Sequence, residues 1–503
     1  MTAQPRFNLV DEPWIPIVDI GLVSLKDIFS HSYYRSLGGN PVQKIALTKL
    51  LLAIAQSAST PEDDDAWAES GVSGMSEKCL KYLERWHDRF WLYGDKPFLQ
   101  IPAIQTANMQ SYGAVLTEIA TGNTTVLTQS QIEKPLLDAD KALLLLTLMG
   151  FGLGGKKTDN SAVLSLGYTG KSNDKGKAST GKPGTAIGFM GFLHNFLIGQ
   201  SIAETVWLNL LTRDHLQQLS IYSDGLGIAP WEQMPIGEAC DTAKALQNSL
   251  MGRLLPLSRF CLLTETGLHY SEGIAHHGYK ENMVDPSVSA DFSGKDPKVI
   301  WVDPGKRPWR FLTALLGFIA QTNTQGFDCY HLRLGLLRAR SEVAMLGIWS
   351  GGLRVSSNAG EQYVSGTDDF VESVIMLPQE ILGSTWFANL KQEMTELDQL
   401  SKIVYSATLN YFKNQNSEGK AQAGLASNLF WQLCERKFQD LVNNCHDYNQ
   451  AKALRKNFAG FANQAYDHFC PKDTARQLDA WAKNRPNLGN YLKDQTKTEE
   501  APA

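Results

Sequence analysis

From about Thr385 onward the chain carries apolar residues at helical spacing, and that pattern restricts the fold more than any other feature. Trp386, Leu390, Met394, Leu397 and Val404 share one face, as do Leu425, Leu429 and Leu433, and then Leu454, Phe458, Phe461 and Ala465. A repeat near 3.6 residues describes helices that bury a stripe and wet the opposite side. A fourth, shorter helix fits 473–485 and is stopped by Pro486, whose ring nitrogen cannot donate to the helical ladder. Polar connections such as 414–419 are too short for anything but antiparallel neighbours. The region 379–493 therefore reads as a four-helix bundle, and the polar tail 494–503 as disordered.

A chain of 503 residues exceeds what one ordinary core serves, so the remainder must build its own interior. There the pattern is mixed. Asn40 before Pro41 is a helix start, and Ile45, Leu47, Leu50, Leu51 and Ile54 give that helix a broad apolar face. A second helix is expected over 76–92 and a third over 138–149, with short strands at 299–302 and around 341–349. The expected class is α+β: a large mixed α/β domain over 1–378, the bundle over 379–493, then the tail.

The formal net charge of −5 argues against a protein that grips nucleic acid over its whole surface. Nothing at the N-terminus resembles an export signal. The apolar stretch 142–152 is too short to span a bilayer, and 187–211 is broken by His194, Asn195, Gln200, Ser201 and Glu204. A cytoplasmic protein without membrane contact is expected. Seven cysteines occur without a C-x-x-C pair, and only Cys445, His446, His468 and Cys470 approach zinc-like spacing, inside helical pattern. Buried thiols, no metal and no cofactor are the expectation. The nucleophile elbow G-x-S-x-G is absent, and no catalytic triad is suggested.

The segment 150–183 holds six lysines, Lys156, Lys157, Lys171, Lys175, Lys177 and Lys182, against Asp159 and Asp174. Glycine lets backbone approach a ligand closely, and lysine attracts phosphate without reading sequence. A solvated loop or a nucleic-acid contact both fit. Gly150 to Lys156 also fits seven of the eight positions of a phosphate-binding loop, but Lys157 stands where a metal-binding hydroxyl is required. A nucleotide hydrolase using this loop is the alternative reading.

Downstream, 350–373 contains Gly351-Gly352 and Asn358-Ala359-Gly360 as turn residues, suggesting an exposed finger that carries Arg354. Asp368, Asp369 and Glu372 read as a solvated acidic turn. The run 304–310 mixes basic and aromatic residues and fits either a base-stacking patch or a surface turn anchored by Trp309. His276, His277 and Lys280 are expected in a surface loop.

Three of these segments together resemble one family. Phe7-Asn8-Leu9-Val10-Asp11-Glu12-Pro13-Trp14-Ile15-Pro16-Ile17, the glycine segment at Gly150 and the 350–370 segment follow the order found in the type I-E CRISPR Cascade large subunit, also called CasA. With the closing bundle, the resemblance covers nearly the whole chain. It implies a non-catalytic subunit that reads a short protospacer-adjacent motif (PAM) from the minor groove of double-stranded target DNA. The glycine loop would approach the duplex through Gly150, Phe151, Gly152, Leu153 and Gly154, beside Lys156 and Lys157, with Lys280 as a further contact. A strand-separating wedge would comprise Arg354, Val355, Ser356, Ser357 and Asn358. Relatives carry glutamine at the wedge tip, where this chain has Ser357 or Asn358. A loop at 122–134, with Gly122, Asn123, Thr124 and Thr125, would pack toward the 5′ end of the guide, without the aromatic of relatives. The implied partners are crRNA, the small-subunit dimer, the backbone subunits, the 5′-handle-binding subunit and a helicase-nuclease effector.

Overall fold

The computed structural model describes residues 4–116, 136–151, 158–178, 191–219, 221–320, 326–339, 342–343, 345–354 and 370–493. The chain divides into two compact units, Met1–Val374 and Ile375–Ala503.

The first unit is built around the helix Pro41–Ser59. Asn40 caps it reciprocally with Gln43: the Asn40 carboxamide accepts from the Gln43 N–H at 2.9 Å, and Gln43 Oε1 accepts from the Asn40 N–H at 2.9 Å. Every residue from Ile45 to Gln56 is buried, the mark of a helix enclosed on all sides. Beside it the second helix runs over Asp64–Arg85, twelve residues earlier than 76–92 at its start. Asp63 caps it by accepting from the Ala66 N–H at 2.8 Å, and Gly71 at φ 56° makes a kink inside it. Residues 91–92 belong instead to the strand Trp91–Tyr93. Trp67, on this helix, stacks on Trp207 with ring centroids 3.8 Å apart. Each indole N–H donates to the other residue's carbonyl, at 2.8 and 3.2 Å.

Two three-stranded sheets frame this unit. In one, Gly267–Glu272 lies between Met109–Ser111 and Arg259–Leu263; in the other, Gly347–Leu353 lies between His194–Ile198 and Phe370–Met376. His194–Ile198 and Gly347–Leu353 pair antiparallel, with Gly351 opposite His194 and Gly347 opposite Ile198. The strand expected near 341–349 is thus displaced toward the C-terminus and runs through Gly351 and Gly352. The expected strand 299–302 is reduced to Lys298–Val299, while Trp301 bridges to Phe192. The third helix is present as Asp138–Phe151.

The second unit contains the helices Ser384–Lys413, Lys420–Asn444, Tyr448–Phe469 and Ala475–Lys483, followed by a turn, Gly489–Leu492. The architecture is α+β, with C-terminal helices as the periodicity required. In Lys420–Asn444 the buried stripe is Ala423, Ala426, Phe430, Leu433 and Cys434, while Leu425 is exposed. Between the first and third of these helices, Arg455 Nε donates to both Glu393 carboxylate oxygens at 3.1 and 3.0 Å. Glu393 is buried, so Arg455→Ala leaves an uncompensated carboxylate in the bundle. The expected loss is about 3–5 kcal/mol in urea unfolding, against a much smaller loss for a Glu393→Leu/Arg455→Met double variant.

Candidate nucleic-acid interface

The glycine–lysine segment leaves the end of the helix Asp138–Phe151. Ser258 secures that end by donating both its N–H, at 2.9 Å, and its hydroxyl, at 2.7 Å, to the Met149 carbonyl. Gly150 and Phe151 are the last buried residues of the helix, and Phe151 is 0% exposed. Phe151 is therefore a packing residue and not part of an exposed loop. Gly152, Leu153, Gly154, Lys156 and Lys157 lie outside the described residues. A helix leads into Gly150–Lys156, whereas a phosphate-cradling loop follows a strand.

After the segment, the Asp159 N–H donates to the Tyr270 carbonyl at 2.8 Å and Asn160 Oδ1 accepts from the Glu272 N–H at 3.2 Å. Lys171 reaches inward to the same strand. It is 1% exposed, and its ammonium donates to Glu238 at 2.5 Å, to the Ala162 carbonyl at 2.8 Å and to Ser271 Oγ at 2.9 Å. Glu238 also accepts the N–H groups of Leu164 and Ser165. One of the six lysines in the basic segment is thus a buried anchor, unavailable to phosphate. Lys182 lies outside the described residues.

The strand Gly347–Leu353 is buried along its whole length, and the expected wedge begins where it ends. Gly351 and Gly352, read from sequence as a turn, are strand residues at close approaches. A Cβ on Gly352 would lie 2.6 Å from Val302 Cγ2 and 2.8 Å from the Phe192 carbonyl oxygen; one on Gly351 would lie 2.6 Å from the Trp349 ring. Arg354 follows, half-buried, while Val355, Ser356, Ser357 and Asn358 lie outside the described residues. The connection 354–369 therefore joins two neighbouring strands of one sheet. On the second of these strands, Glu372 accepts from Lys44 at 2.8 Å and from the Trp349 indole at 3.1 Å. That fixes Glu372 as a packing partner; Asp368 and Asp369 lie outside the described residues.

A buried polar chain ties this strand to the central helix. Ser350 Oγ donates to Asn195 Oδ1 at 2.7 Å, and Asn195 Nδ2 donates to the Ser287 carbonyl at 3.2 Å. Ser287 Oγ donates to Asp285 at 2.6 Å, so His194, 2.8 Å away, carries its proton on Nδ1 and donates to that oxygen. Asp285 ends the chain in an ion pair with Lys49, which also donates to the Arg253 carbonyl at 2.9 Å. Burial alone would raise the Asp285 carboxyl, but the Lys49 charge and the hydrogen bonds outweigh it and hold it at about 2. Burial, reinforced at His194 by Lys49, lowers His194 and His331 to about 3, leaving both neutral.

Lys280 is exposed on the turn Tyr279–Glu281. Tyr279 packs edge-on against Phe192 at 5.8 Å, and Phe192 packs on Trp301 at 5.2 Å. Phe192 thus supports both the Lys280 turn and the strand that leads to Arg354. His276, expected at the surface, is buried: Nε2–H donates to the Pro256 carbonyl at 2.6 Å, and burial lowers it to about 3. Trp309 is buried as a turn anchor, and Lys306 lies 4.0 Å from the Phe311 ring. Gly122, Asn123, Thr124 and Thr125 lie outside the described residues. Among the described residues, no group of three or more His, Cys, Asp or Glu could hold a metal ion, and no helix is long and apolar enough to cross a membrane.

Comparison with known proteins adds a family match. The family described as CRISPR-associated protein Cse1 matches residues 8–468. CasA/Cse1 of Thermus thermophilus is 33% identical over 172 residues, 31% of this chain and 33% of that protein, so the alignment spans about one third of that relative. The crystal structure of Thermobifida fusca Cse1 is similar with a TM-score of 0.74 at 18% identity, covering 97% of this chain and 98% of that one. A chain from a structure described as a CRISPR RNA-guided surveillance complex gives 0.68 at 14% identity, over 96% and 99% of the two chains. At such identities the two structures establish a shared fold.

The buried network predicts an acid profile. His194, His276 and His331 hold protons more weakly folded than unfolded, so their contribution is whole above about pH 6.5 and is lost as pH falls toward about 3. Asp285, depressed from 3.8 to about 2, adds a loss below about pH 4. Thermal unfolding across pH 7 to 2 should show Tm falling through both windows. Asp285→Asn, which strands the Lys49 ammonium, should cost about 3–5 kcal/mol at neutral pH and remove the lower window.

Proposed function

The chain belongs to the CRISPR-associated Cse1 family, which matches it over residues 8–468, and from that membership we propose that it is the non-catalytic large subunit of a type I-E Cascade surveillance complex. In this reading it recognises the PAM in double-stranded target DNA and starts strand opening for guide RNA pairing. It then stabilises the R-loop and helps recruit the helicase-nuclease. Its partners are crRNA, the small-subunit dimer, the backbone subunits and the 5′-handle-binding subunit, in the cytoplasm.

One observation supports this most: the Lys280 turn and the strand leading to Arg354 rest on the same residue, Phe192. A groove contact and a wedge need a fixed relation to one another, because misplacement by an ångström forfeits productive geometry. Gly152, Leu153 and Gly154, with Lys156 and Lys157, supply the backbone approach, from the end of a helix locked by Ser258. Arg354, Val355, Ser356, Ser357 and Asn358 form the wedge, and Gly122, Asn123, Thr124 and Thr125 meet the guide end. Minor-groove reading is degenerate, so several flanking motifs would be accepted. Strand exchange between duplex and heteroduplex is nearly balanced, so a few contacts suffice to tip it. The acidity of the chain suits a subunit whose contacts are local.

A binding screen of the reconstituted complex against target DNA with a randomised flank tests the proposal. Binding should depend on a few flanking positions and weaken about tenfold or more, on the order of 1.4 kcal/mol, when Gly152 or Gly154 is replaced by Phe. Indifference to the flank would leave only a scaffold. Nucleotide turnover by the pure protein, abolished by Lys156→Ala, would install the hydrolase reading instead.

A further inference from the structure

The segment that follows the glycine–lysine loop contains a feature that the proposed function leaves unused. Residues 172–178 form a tight turn closed by a bridge between Ser172 and Ala178. Asn173 organises it: its Oδ1 accepts the N–H groups of Lys175 and Lys177 at 3.0 and 3.1 Å, and its N–H donates to the Lys177 carbonyl at 2.8 Å. The Gly176 N–H donates back to the Asn173 carbonyl at 2.8 Å. Lys175 and Lys177 are exposed, and neither has an ion-pair partner among the described residues. The base of the turn is held by Lys171, buried against Glu238 and Ser271.

Ser271 lies on the strand Gly267–Glu272, next to Tyr270, whose carbonyl receives Asp159 as the chain returns from residues 152–157. One strand therefore anchors both the end of the glycine–lysine loop and the root of the lysine turn. Lysine is a compact, strongly hydrated point charge that attracts phosphate without regard to base sequence. A turn fixed by its own hydrogen bonds presents such charges with little ordering cost on binding.

We propose that the turn 172–178 is a second phosphate contact, at which Lys175 and Lys177 engage the backbone of the DNA duplex. The inference rests on the DNA-binding reading above and adds a site to it. Asp174 immediately precedes Lys175 in this turn and carries the opposite charge, so its removal should act in the opposite direction.

The test measures equilibrium binding of a fluorescent duplex by the assembled complex over a range of salt concentrations. Lys175→Ala/Lys177→Ala should weaken matched and unmatched duplexes alike and make the slope of log K against log salt shallower by about 1 to 2. Lys175→Arg/Lys177→Arg should retain binding, and Asp174→Asn should tighten it. All these residues are exposed, so an unchanged Tm accompanies the expected result. Unchanged affinity and slope in the alanine variant, with weakening in Lys156→Ala/Lys157→Ala, would overturn the turn's role and leave DNA binding by the loop intact. No effect in either pair would remove both. Failed assembly, with normal DNA binding by the assembled fraction, would assign the turn to a protein partner and overturn the proposal.

Discussion

A lysine in the middle of an enclosed helix has to be neutralised where it lies, and much of the first unit is arranged around that requirement. Lys49 is 0% exposed, and its ammonium meets Asp285 and the Arg253 carbonyl. An isolated buried charge would cost several kcal/mol, and an ion pair offsets that only when its remaining donors and acceptors are also satisfied. Asp285 meets the condition through Ser287, which passes the chain to His194, and the Ser287 carbonyl carries it on to Asn195 and so to Ser350. The consequence is positional. The Gly347–Leu353 strand, from which the proposed wedge segment departs, is registered against the central helix by hydrogen bonds with definite directions, where apolar packing alone would tolerate slippage.

Some of this was legible in the sequence. Asn40-Pro41 and the leucine run that follows specified the central helix, and the periodicity after Thr385 specified the bundle. Lys49 interrupts that apolar run, and its partner is 236 residues away, a pairing that no local pattern encodes. Gly351-Gly352 misled because glycine pairs favour turns; here a close approach of Val302 and Phe192 demands them within a strand. The second helix starts twelve residues before the expected 76 because Asp63 caps it there and the chain continues as helix through the kink at Gly71. In Lys420–Asn444 small Ala423 and Ala426 face inward and Leu425 outward, since close helix packing rewards small residues where two backbones approach.

The basic segment shows why charge in sequence is not charge at the surface. Its six lysines look equivalent, yet Lys171 is spent inside on Glu238, which in turn holds the Leu164 and Ser165 amides. Burial lowers the Lys171 ammonium in spite of the hydrogen bond to Glu238, whereas at Glu238 the hydrogen bond and charge of Lys171 outweigh burial and hold the carboxyl below its usual range. Among the described residues, what remains outside is Lys175 and Lys177, on a turn whose root Lys171 holds from within.

The Trp67–Trp207 pair has an optical consequence. Two indoles at 3.8 Å with planes only 8° apart are close enough for their transition dipoles to couple, and the reciprocal N–H to carbonyl bonds hold that geometry. The first unit therefore contains an intrinsic indole pair, and any circular-dichroism couplet it gives is lost when two segments 140 residues apart undock. With twelve tryptophans in the chain, emission intensity reports an average, but this couplet would isolate the integrity of one joint.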